Sequence, residues 1–457
     1  MNRTTKIVLA AAGIVVLSYP GLSWVTGIAI EARIQHGEQL ALDKTPYVVL
    51  VKREYHRGVY RSTEIATYSF RNPTVLTALK TATGSPLSPS ATVTVVSDIQ
   101  HGPLPGLHTA ALGIIDSTLI APPALQKALA GALGSKPLLQ LRTRVGFFGG
   151  ATVDLSSPAF SVPLPDGPTL TWGGLTGSVA SGRNQASWSG QLNLPRLAIQ
   201  GPQGAFELAG VAYSGSHVKA FDDLYAGTGT LTIERLDGSK ASAGGQFSLD
   251  RISLVTTSKV AGDFLDMRVD TAADAASIGA VNLKNITYSV SFEHVHGPSL
   301  IAMAEAVRAA QRQAATQPAQ LQAGMQAAFR QYGGALLLHD PVMDIRQIGF
   351  SMPEGSLLFS ARLAAPGLSP ADLQFPAVIL ALRTHAQVTA DLRVDTGLMQ
   401  KLLALGGSNP KIAARLTFFE QQGYLTAASS AVTTHLDYSG GRLTLNGHPF
   451  PPVPPAN

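Results

Sequence analysis

Residues 286–292 read Ile286-Thr287-Tyr288-Ser289-Val290-Ser291-Phe292, with apolar or aromatic side chains alternating with small hydroxyl-bearing ones. Successive side chains of a β-strand point to opposite faces of the sheet, so this alternation predicts a strand with one buried and one solvated face. The same period recurs along the chain, bounded by Gly, Pro, Asn and Ser. The other predicted strands are residues 60–70, 92–99, 206–213, 231–236, 247–255, 265–269, 348–352, 388–394 and 442–446.

The order of these segments predicts the fold class. Few helical patterns separate them, which is typical of antiparallel meanders with one solvated face. Residues 149–283 are especially dense in strands, with turns predicted at Gly173-Gly174, Asp237-Gly238 and Gly244-Gly245. We therefore predict a β-rich α+β fold, with long antiparallel, meandering or curved sheets and a few packed helices, preceded by one N-terminal transmembrane helix. No repeat period emerges, so neither a solenoid nor a propeller is predicted.

The longest helical segment is predicted at residues 299–332. Ser299 is a suitable N-terminal cap, and Gly333-Gly334 is the predicted end. Pro318 divides the segment into a helical hairpin or a kinked helix. Its Met and Phe side chains recur at helical spacing, which indicates a face turned to the core or to a ligand groove.

Three shorter helices and a tail complete the prediction. The helices are residues 123–133, 396–405 and 410–417. Residues 448–457 hold five prolines and are predicted to be disordered.

Residues 7–30 form an uncharged run that follows Arg3 and Lys6 and ends before Glu31. As a helix, this run would reach about 36 Å, enough to cross a hydrocarbon core of about 30 Å. A cleavable secretion signal is the alternative, because Pro20-Gly21 would break the run and Gly27-Ile28-Ala29 is an acceptable cleavage triplet. The run continues apolar beyond Pro20, which favours a retained anchor.

The anchor hypothesis assigns each part of the chain a location. Ile7, Leu17, Trp24 and Ile30 would be anchor residues, with Trp24 near the membrane interface. Because positive residues are retained inside, residues 1–6 would be cytoplasmic and residues 31–447 would form a periplasmic body of one or two lobes. The inner membrane is thus the predicted location and first partner.

Composition excludes several classes of function. The chain has 457 residues, 45% of them hydrophobic, and no cysteine. Disulfides, thiolate metal sites and cysteine nucleophiles are therefore impossible. A formal charge of +5 with scattered Lys and Arg does not indicate nucleic-acid binding. No cofactor is predicted.

The search for catalytic motifs finds only weak candidates. Gly-x-Ser-x-Gly, phosphate-loop, dinucleotide-turn and His-Glu-x-x-His patterns are absent. His294 and His296 could face one metal ion from a strand end, but no third ligand is evident, and a polar loop is the simpler interpretation. His339, followed by Asp340 and Pro341, could be an oriented imidazole or part of a turn.

Residues 52–61 form the densest basic region and include Arg57 and Gly58. Anionic lipid headgroups are conceivable partners if this region lies near a bilayer. The simpler interpretation is a strand whose Lys and Arg face water and flank Tyr55, with Gly58 at a bulge.

The most distinctive motif covers residues 98–106, Asp98-Ile99-Gln100-His101-Gly102-Pro103-Leu104-Pro105-Gly106. Its prolines fix φ and its glycines relieve the corners, which predicts a rigid bend directly after a strand. His101, Gly102 and Pro103 are the candidate functional residues. We expect the His101 ring to bond the backbone of the turn, with acid–base catalysis as the alternative.

Several segments, in this order, resemble the YdgA-type envelope proteins of Gram-negative bacteria, a family defined by a domain of unknown function. The resemblance rests on residues 24–27 with 30–31, 55–62, 99–104, 350–355 and 438–447. It implies a single-pass inner-membrane protein with a β-rich periplasmic body and no established reaction. The matching residues cross the cleavage site after Ala29, which favours the retained anchor. The helix around Pro318 departs from the family pattern.

Two classes of function follow from these observations. The preferred one is a non-enzymatic envelope protein that binds or guides a lipid or another envelope component. A long sheet with one apolar face and few covering helices can leave an apolar trough. The alternatives are a periplasmic hydrolase-like enzyme using His101 or the pair His294 and His296, and a purely structural scaffold.

Overall fold

The structure is a computed structural model that describes most of the chain. It covers residues 3–45, 47–71, 91–107, 109–164, 167–222, 224–240, 245–314, 320–373, 377–405 and 410–450. Within these ranges, the side chains of residues 3–18, 91, 107, 124, 314, 377, 379, 405 and 410–413 are not described.

The described residues contain seven α-helices. They are α1 Arg3–Lys44, α2 Pro123–Leu133, α3 Gly297–Ala314, α4 Leu321–Leu337, α5 Ala377–His385, α6 Thr396–Leu405 and α7 Pro410–Gln421. The chain divides into two compact units, residues 1–219 with 307–324 and residues 220–306 with 325–457. Each unit is built around an antiparallel sheet.

The first unit contributes eleven of the described strands. They are β1 Val48–Arg57, β2 Arg61–Phe70, β3 Ala91–His101, β4 Gly113–Ile120, β5 Leu139–Val145, β6 Ala151–Ser157, β7 Phe160–Pro163, β8 Thr169–Trp172, β9 Leu175–Ser181, β10 Ser187–Gly201 and β11 Gly204–Lys219. Strands β1 to β6 pair in chain order, and β6, β9, β10 and β11 continue the sheet. The hairpin of β7 and β8 joins the far end of β10.

The second unit contributes eleven more. They are β12 Tyr225–Lys240, β13 Phe247–Ala261, β14 Phe264–Ile278, β15 Val281–His296, β16 Val342–Met352, β17 Gly355–Ala364, β18 Gln387–Asp395, β19 Thr426–Ala427, β20 Ala431–Ser439, β21 Arg442–Leu445 and β22 His448–Pro449. Strands β12 to β18 pair in chain order, and β20 to β22 extend the sheet from β18. Helix α6 packs on β17, β18 and β20.

The core of the first unit lies between α1 and its sheet. Ile30 on α1 is fully buried and packs with Ile99, Leu112, Ile115 and Val145. Gly113 lies directly under the Ile30 side chain, where a Cβ would collide with Ile30 and with the Gln100 carbonyl. A large residue on the helix thus faces a glycine on β4. Because the glycine has no Cβ, the helix can pack close to the sheet.

The β-rich class and the long antiparallel sheets are confirmed. Helices α2 and α6 have the predicted bounds, and the predicted strands fall within observed ones except for Tyr60, which precedes β2, and Asn446, which follows β21. Several observed strands are much longer than predicted. Strands β10 to β15 have 15 or 16 residues each. The reason is that small and polar residues extend the alternating segments without breaking the backbone ladder.

Two predicted breaks are wrong, and so is the break at Pro20 that the cleavable-signal alternative required. Asp237-Gly238 lies inside β12, because Gly238 makes room for the Phe247 ring on the paired strand. Gly333-Gly334 does not end its helix, which continues to Leu337. Pro20 lies inside α1, and the helix runs through it. The long helix is interrupted between Ala314 and Leu321, while Pro318 itself lies outside the described residues.

Two further predictions fall partly outside the described residues. Gly244 is not described, although β12 and β13 flank that position. Of the predicted disordered tail, only residues 448–450 are described, and His448 and Pro449 pair with β21 as a short strand.

The N-terminal helix is longer than the predicted span and does not end at Ile30. Ser23 and Ile30 are fully buried against the sheet, whereas Leu22, Val25 and Ile28 are exposed. Among the described residues, no helix is both long enough and apolar enough to cross a membrane. The side chains of Ile7 and Leu17 are not among those described.

Candidate functional site

His101 lies at the end of β3, where α1 crosses the sheet. Its side chain is 1% exposed. Gly27 of α1 lies directly over the ring, and a Cβ at Gly27 would come within 2.8 Å of the ring carbon Cε1. An imidazole is thus enclosed between a helix and a strand, at a point where the helix presents no side chain.

The hydrogen bonds of His101 join three elements. Its Nδ1 lies 2.8 Å from the Ser23 carbonyl oxygen of α1, which makes Nδ1 the donor. Its Nε2 lies 3.0 Å from the Ser62 hydroxyl of β2 and accepts from it in that tautomer. The Ser23 hydroxyl donates to the His101 carbonyl at 2.7 Å. A single neutral imidazole therefore connects α1, β2 and β3.

Burial lowers the pKa of His101, and the positive charge of Arg57 lowers it further, while the bond to Ser23 opposes both effects. The neutral ring is thus the favoured form, since both nitrogens are already satisfied without a charge. The prediction that the ring bonds the backbone of the following turn is wrong, because its partners are Ser23 and Ser62 instead.

The rigid bend after His101 also contacts α1. Gly102 has φ +128°, a backbone conformation that favours glycine, and lies against Ser23 and Tyr19. The Tyr19 hydroxyl donates to the Leu104 carbonyl at 2.7 Å, and its ring stacks on Tyr60. Pro103 precedes Leu104 in the same bend. The Gly-Pro-Leu segment thus forms part of the surface on which α1 packs.

A buried charge cluster lies farther along the same seam. Arg53 of β1 bonds Glu64 of β2, and its guanidinium lies 3.9 Å from Glu38 of α1. The Tyr68 hydroxyl donates to Glu38 at 2.5 Å. The side chains of Arg53, Glu38 and Glu64 are 17%, 11% and 7% exposed, so this cluster is poorly solvated.

The cluster perturbs its acids and leaves polar atoms unsatisfied. Burial raises the pKa of Glu64 despite the adjacent Arg53, and burial with the Glu38 carboxylate raises the pKa of Tyr68. The Nη2 atom of Arg53 is buried without a hydrogen bond. The Tyr55 hydroxyl is buried without a hydrogen bond of ordinary geometry, although the nearby Ser62 hydroxyl counteracts the rise in its pKa caused by burial.

The basic region therefore does not have the predicted arrangement. Lys52 faces water, but Arg53 and Arg57 turn toward α1. Arg57 pairs with Glu31 and lies over the Trp24 ring, with its guanidinium carbon 5.6 Å from the ring centroid. Gly58 begins the turn after β1, and the irregularity in register lies at residues 50–52 instead. The sequence could not reveal this, because Glu31 and Glu38 are distant in sequence from Arg57 and Arg53 and meet them only where α1 packs on β1.

The predicted histidine pair belongs to a larger aromatic cluster in the second unit. His296 stacks on His339 with 3.8 Å between ring centroids, and His294 stacks on Phe264 at the same spacing. His294 has φ +58° and bonds the His339 carbonyl, while His296 bonds the Ser299 hydroxyl. Burial lowers the pKa of His296. The third imidazole is thus His339, but no His, Cys, Asp or Glu group in the described part of the chain is arranged for a metal.

A shallow cleft of about 430 Å³ lies on the polar face of the second sheet and was not predicted. His435 Nδ1 lies 2.7 Å from Asp391, and the register places Ser360 on the other side of Asp391. A nucleophilic triad needs the imidazole between the hydroxyl and the carboxylate. Here the carboxylate is central, so the arrangement lacks the order that activates a serine.

The apolar face of the first sheet extends beyond the strands on which α1 packs. Register places Leu141, Leu155, Val179, Leu192 and Tyr213 on the same face as Ile99 and Ile115. The described helices of this unit pack on β1, β3, β4 and β7, and none packs closely on β9, β10 or β11. Apart from the buried Ala198, the apolar residues on these three strands are half-buried or exposed, and Val179 is 39% exposed.

Comparison with known proteins identifies a family and nothing more specific. The model of the family described as bacterial protein of unknown function, DUF945, matches residues 1–453. No curated protein and no solved structure matches the chain. The resemblance to YdgA-type proteins therefore stays a prediction.

Proposed function

We propose that the chain, which belongs to the bacterial family of unknown function DUF945, is a non-enzymatic envelope protein tethered to the inner membrane. In this proposal, the apolar run from Ile7 to the region of Tyr19 supplies the anchor, the residues that follow it dock on the sheet through Ser23 and Ile30, and Arg3 and Lys6 keep the N-terminus in the cytoplasm. The β-rich body is then periplasmic and binds the apolar part of a lipid or of a lipid-bearing envelope component.

The observation that carries the proposal is the apolar face of β9 to β11, on which none of the described helices packs closely. On these strands, Val179, Leu192, Leu194, Val211 and Tyr213 lie on one face. Contiguous apolar surface of this kind is rare on monomeric proteins unless it binds something.

The opposite face shows that this surface is one-sided. Thr176, Ser178, Gln191, Asn193 and Ser214 alternate with the apolar residues and face the other way. This part of the sheet is therefore amphipathic. Farther along β10 and β11, the ion pair of Arg196 and Glu207 lies on the first face, and the apolar residues of the other face are Leu197, Ile199, Phe206 and Leu208.

The dimensions of the surface suit an acyl chain. Neighbouring strands lie about 4.8 Å apart, so the face from β5 to β11 is about 19 Å wide. One leaflet of a bilayer has hydrocarbon about 15 Å thick, half of the ~30 Å core. An acyl chain lying across these strands would contact apolar side chains along its whole length.

The closed geometry around His101 supports a non-enzymatic role. Its ring is 1% exposed, and both nitrogens are bonded to Ser23 and Ser62. A general acid or base needs an open path to a reacting proton.

The test compares two neighbouring substitutions on opposite faces of β10. The full chain is extracted from membranes, purified, and analysed for bound lipid by mass spectrometry. We expect lipid with the unaltered chain and with Gln191→Asp, and several-fold less with Leu192→Asp, because a carboxylate on the apolar face would have to be desolvated. Equal lipid content in both variants, or none in the unaltered chain, would refute the proposal in favour of a scaffold.

A further inference from the structure

Four connections of the first sheet lie at one end, hereafter the tip end. They join β1 to β2, β3 to β4, β5 to β6 and β9 to β10. The register shows their common position, because His101 pairs with Gly113, Gly113 with Val145, Val145 with Ala151 and Ala151 with Ser181. The residues of these connections are 58–60, 102–112, 146–150 and 182–186.

Three of these connections expose large apolar side chains. Val59 and Tyr60 are 43% and 50% exposed, Leu104 is 44% exposed, and Phe147 and Phe148 are 42% and 80% exposed. Single exposed apolar residues are ordinary, but this group is concentrated at one end of one sheet. The four connections contain no Asp or Glu, and Arg183 in the fourth is exposed.

Helix α1 passes the tip end on its way toward the N-terminus. Tyr19 contacts Leu104 and Tyr60, and Arg33 donates to the Gly146 carbonyl at 3.2 Å. Farther from the N-terminus, Glu38 lies beside Arg53, Glu64 and Tyr68, away from this end. The apolar residues that precede Tyr19 in the sequence therefore leave the sheet where the exposed tips are.

We propose that the tip end is a bilayer-contacting surface, in which the connections carrying Tyr60, Leu104 and Phe147-Phe148 insert into the lipid interface around α1. This inference rests on the anchor in the proposed function and adds the orientation of the first unit. Aromatic and apolar side chains favour that interface, and tips without carboxylates suit anionic headgroups.

The position of Ile30 supports this placement of the membrane edge. About 16 Å of helix separates Tyr19 from Ile30 at 1.5 Å per residue. If the membrane edge lay at Ile30, the ion pair of Arg61 and Asp98, on the face of the sheet opposite α1, would lie close to the hydrocarbon, where charged groups are costly. With the edge near Tyr19 to Trp24, the ion pair stays in water. The apolar run then spans about 20–27 Å, and local thinning around the inserted tips matches that length.

The absence of cysteine from the chain makes a direct test simple. Phe148→Cys is labelled with an environment-sensitive fluorophore in the full chain and reconstituted into vesicles of phosphatidylethanolamine and phosphatidylglycerol. Ile120→Cys is the control, because Ile120 is 40% exposed at the opposite end of β4. We expect a blue-shifted emission at position 148 and several-fold stronger quenching by lipids with a shallow nitroxide than at position 120. Leu104→Cys should behave like Phe148→Cys.

The outcomes separate this inference from the anchor. If the chain does not float with the vesicles, the proposed anchor is wrong. If it floats but the labels at positions 148 and 104 are quenched no more than the label at 120, the anchor stands and the tip inference is wrong. A label at 148 that is shielded from water but not quenched by the lipids would assign the tips to a protein partner, which also overturns the inference.

Discussion

One face of the first sheet has two regions that differ in covering. Beneath α1, β1 to β4 present Ile99 and Ile115 together with buried polar groups, among them Ser62, Glu64 and His101. On β9 to β11 no helix among the described residues packs closely on the same face, and its large residues are mainly aliphatic and aromatic. Directional hydrogen bonds and charges thus occur where a helix must dock in one register. On β9 to β11 the same face carries the ion pair of Arg196 and Glu207 and the stacked rings of Trp188 and His217, but most of its side chains are apolar and make non-directional contacts.

The largest expected effect is at the buried charge cluster. Arg53→Met leaves Glu38 and Glu64 buried without a cation, which should cost about 3–5 kcal/mol of local stability. Hydrogen exchange of amides in β2 and β3 measures this opening free energy. The matched control is Lys52→Met, whose charge is 68% exposed and pairs with exposed Glu54, and which should cost less than about 1 kcal/mol. Equal costs would mean that the cluster does not fix the helix.

The next effect concerns the apolar contact between helix and sheet. Ile30→Ala should cost about 2–5 kcal/mol, because Ile30 is fully buried and leaves a cavity above Gly113. Ile28→Ala is the control, since Ile28 is 44% exposed, and it should change stability by less than about 0.5 kcal/mol. The same exchange measurement, on detergent-solubilised chain, distinguishes them. Similar protection in both variants would contradict the docked helix.

A smaller effect is expected from pH. Burial holds the folded-state pKa of His101 below its ordinary 6.5, so the unfolded state binds more protons below that pH. Docking of α1 should weaken as the pH falls through this window, by at most about 1.4 kcal/mol per pH unit. Glu64 acts in the opposite sense: its pKa is raised, so its contribution is lost as the pH rises from 4.5.

The His101 contribution can be isolated by substitution. His101→Gln keeps a polar side chain but cannot be protonated in this range. As the pH falls from 6.5 to the depressed pKa of His101, the unaltered chain should therefore lose exchange protection of α1 relative to this variant. Outside this range, the difference in protection between the two chains should not change with pH. A difference that does not vary within this range would rule out a neutral, buried imidazole.

The smallest effect should be found in the uncovered region. Leu192→Ala should change the stability of β9 to β11 by less than about 1 kcal/mol, because Leu192 is only half-buried. The same substitution should still lower the amount of copurified lipid measured by mass spectrometry. A stability loss as large as that of Ile30→Ala would show that Leu192 belongs to a closed core and that the two regions do not differ.

For the candidate site, the sequence identified individual residues but not their partners. His101 and Arg57 were selected because a distinctive turn and a basic segment stood out in the sequence. Their partners were not predicted, because Ser23 lies 78 residues from His101 and Glu31 lies 26 residues from Arg57. Glu38, Glu64 and Tyr68 were missed entirely. In the sequence, they are two carboxylates and a tyrosine without a local partner. Such residues are common on any protein surface, so nothing marked these three as a buried cluster.

Local patterns in the sequence were sufficient to predict the β-rich class and ten of the 22 described strands with the apolar face of each, because alternation at period two is a local property of the backbone. Only the tertiary structure decided which part of that face is covered. That outcome depends on whether a helix can approach closely, as Gly27 and Gly113 permit, and on polar groups meeting from distant segments. Close approach and pairing are properties of contacts between elements, which no single segment encodes.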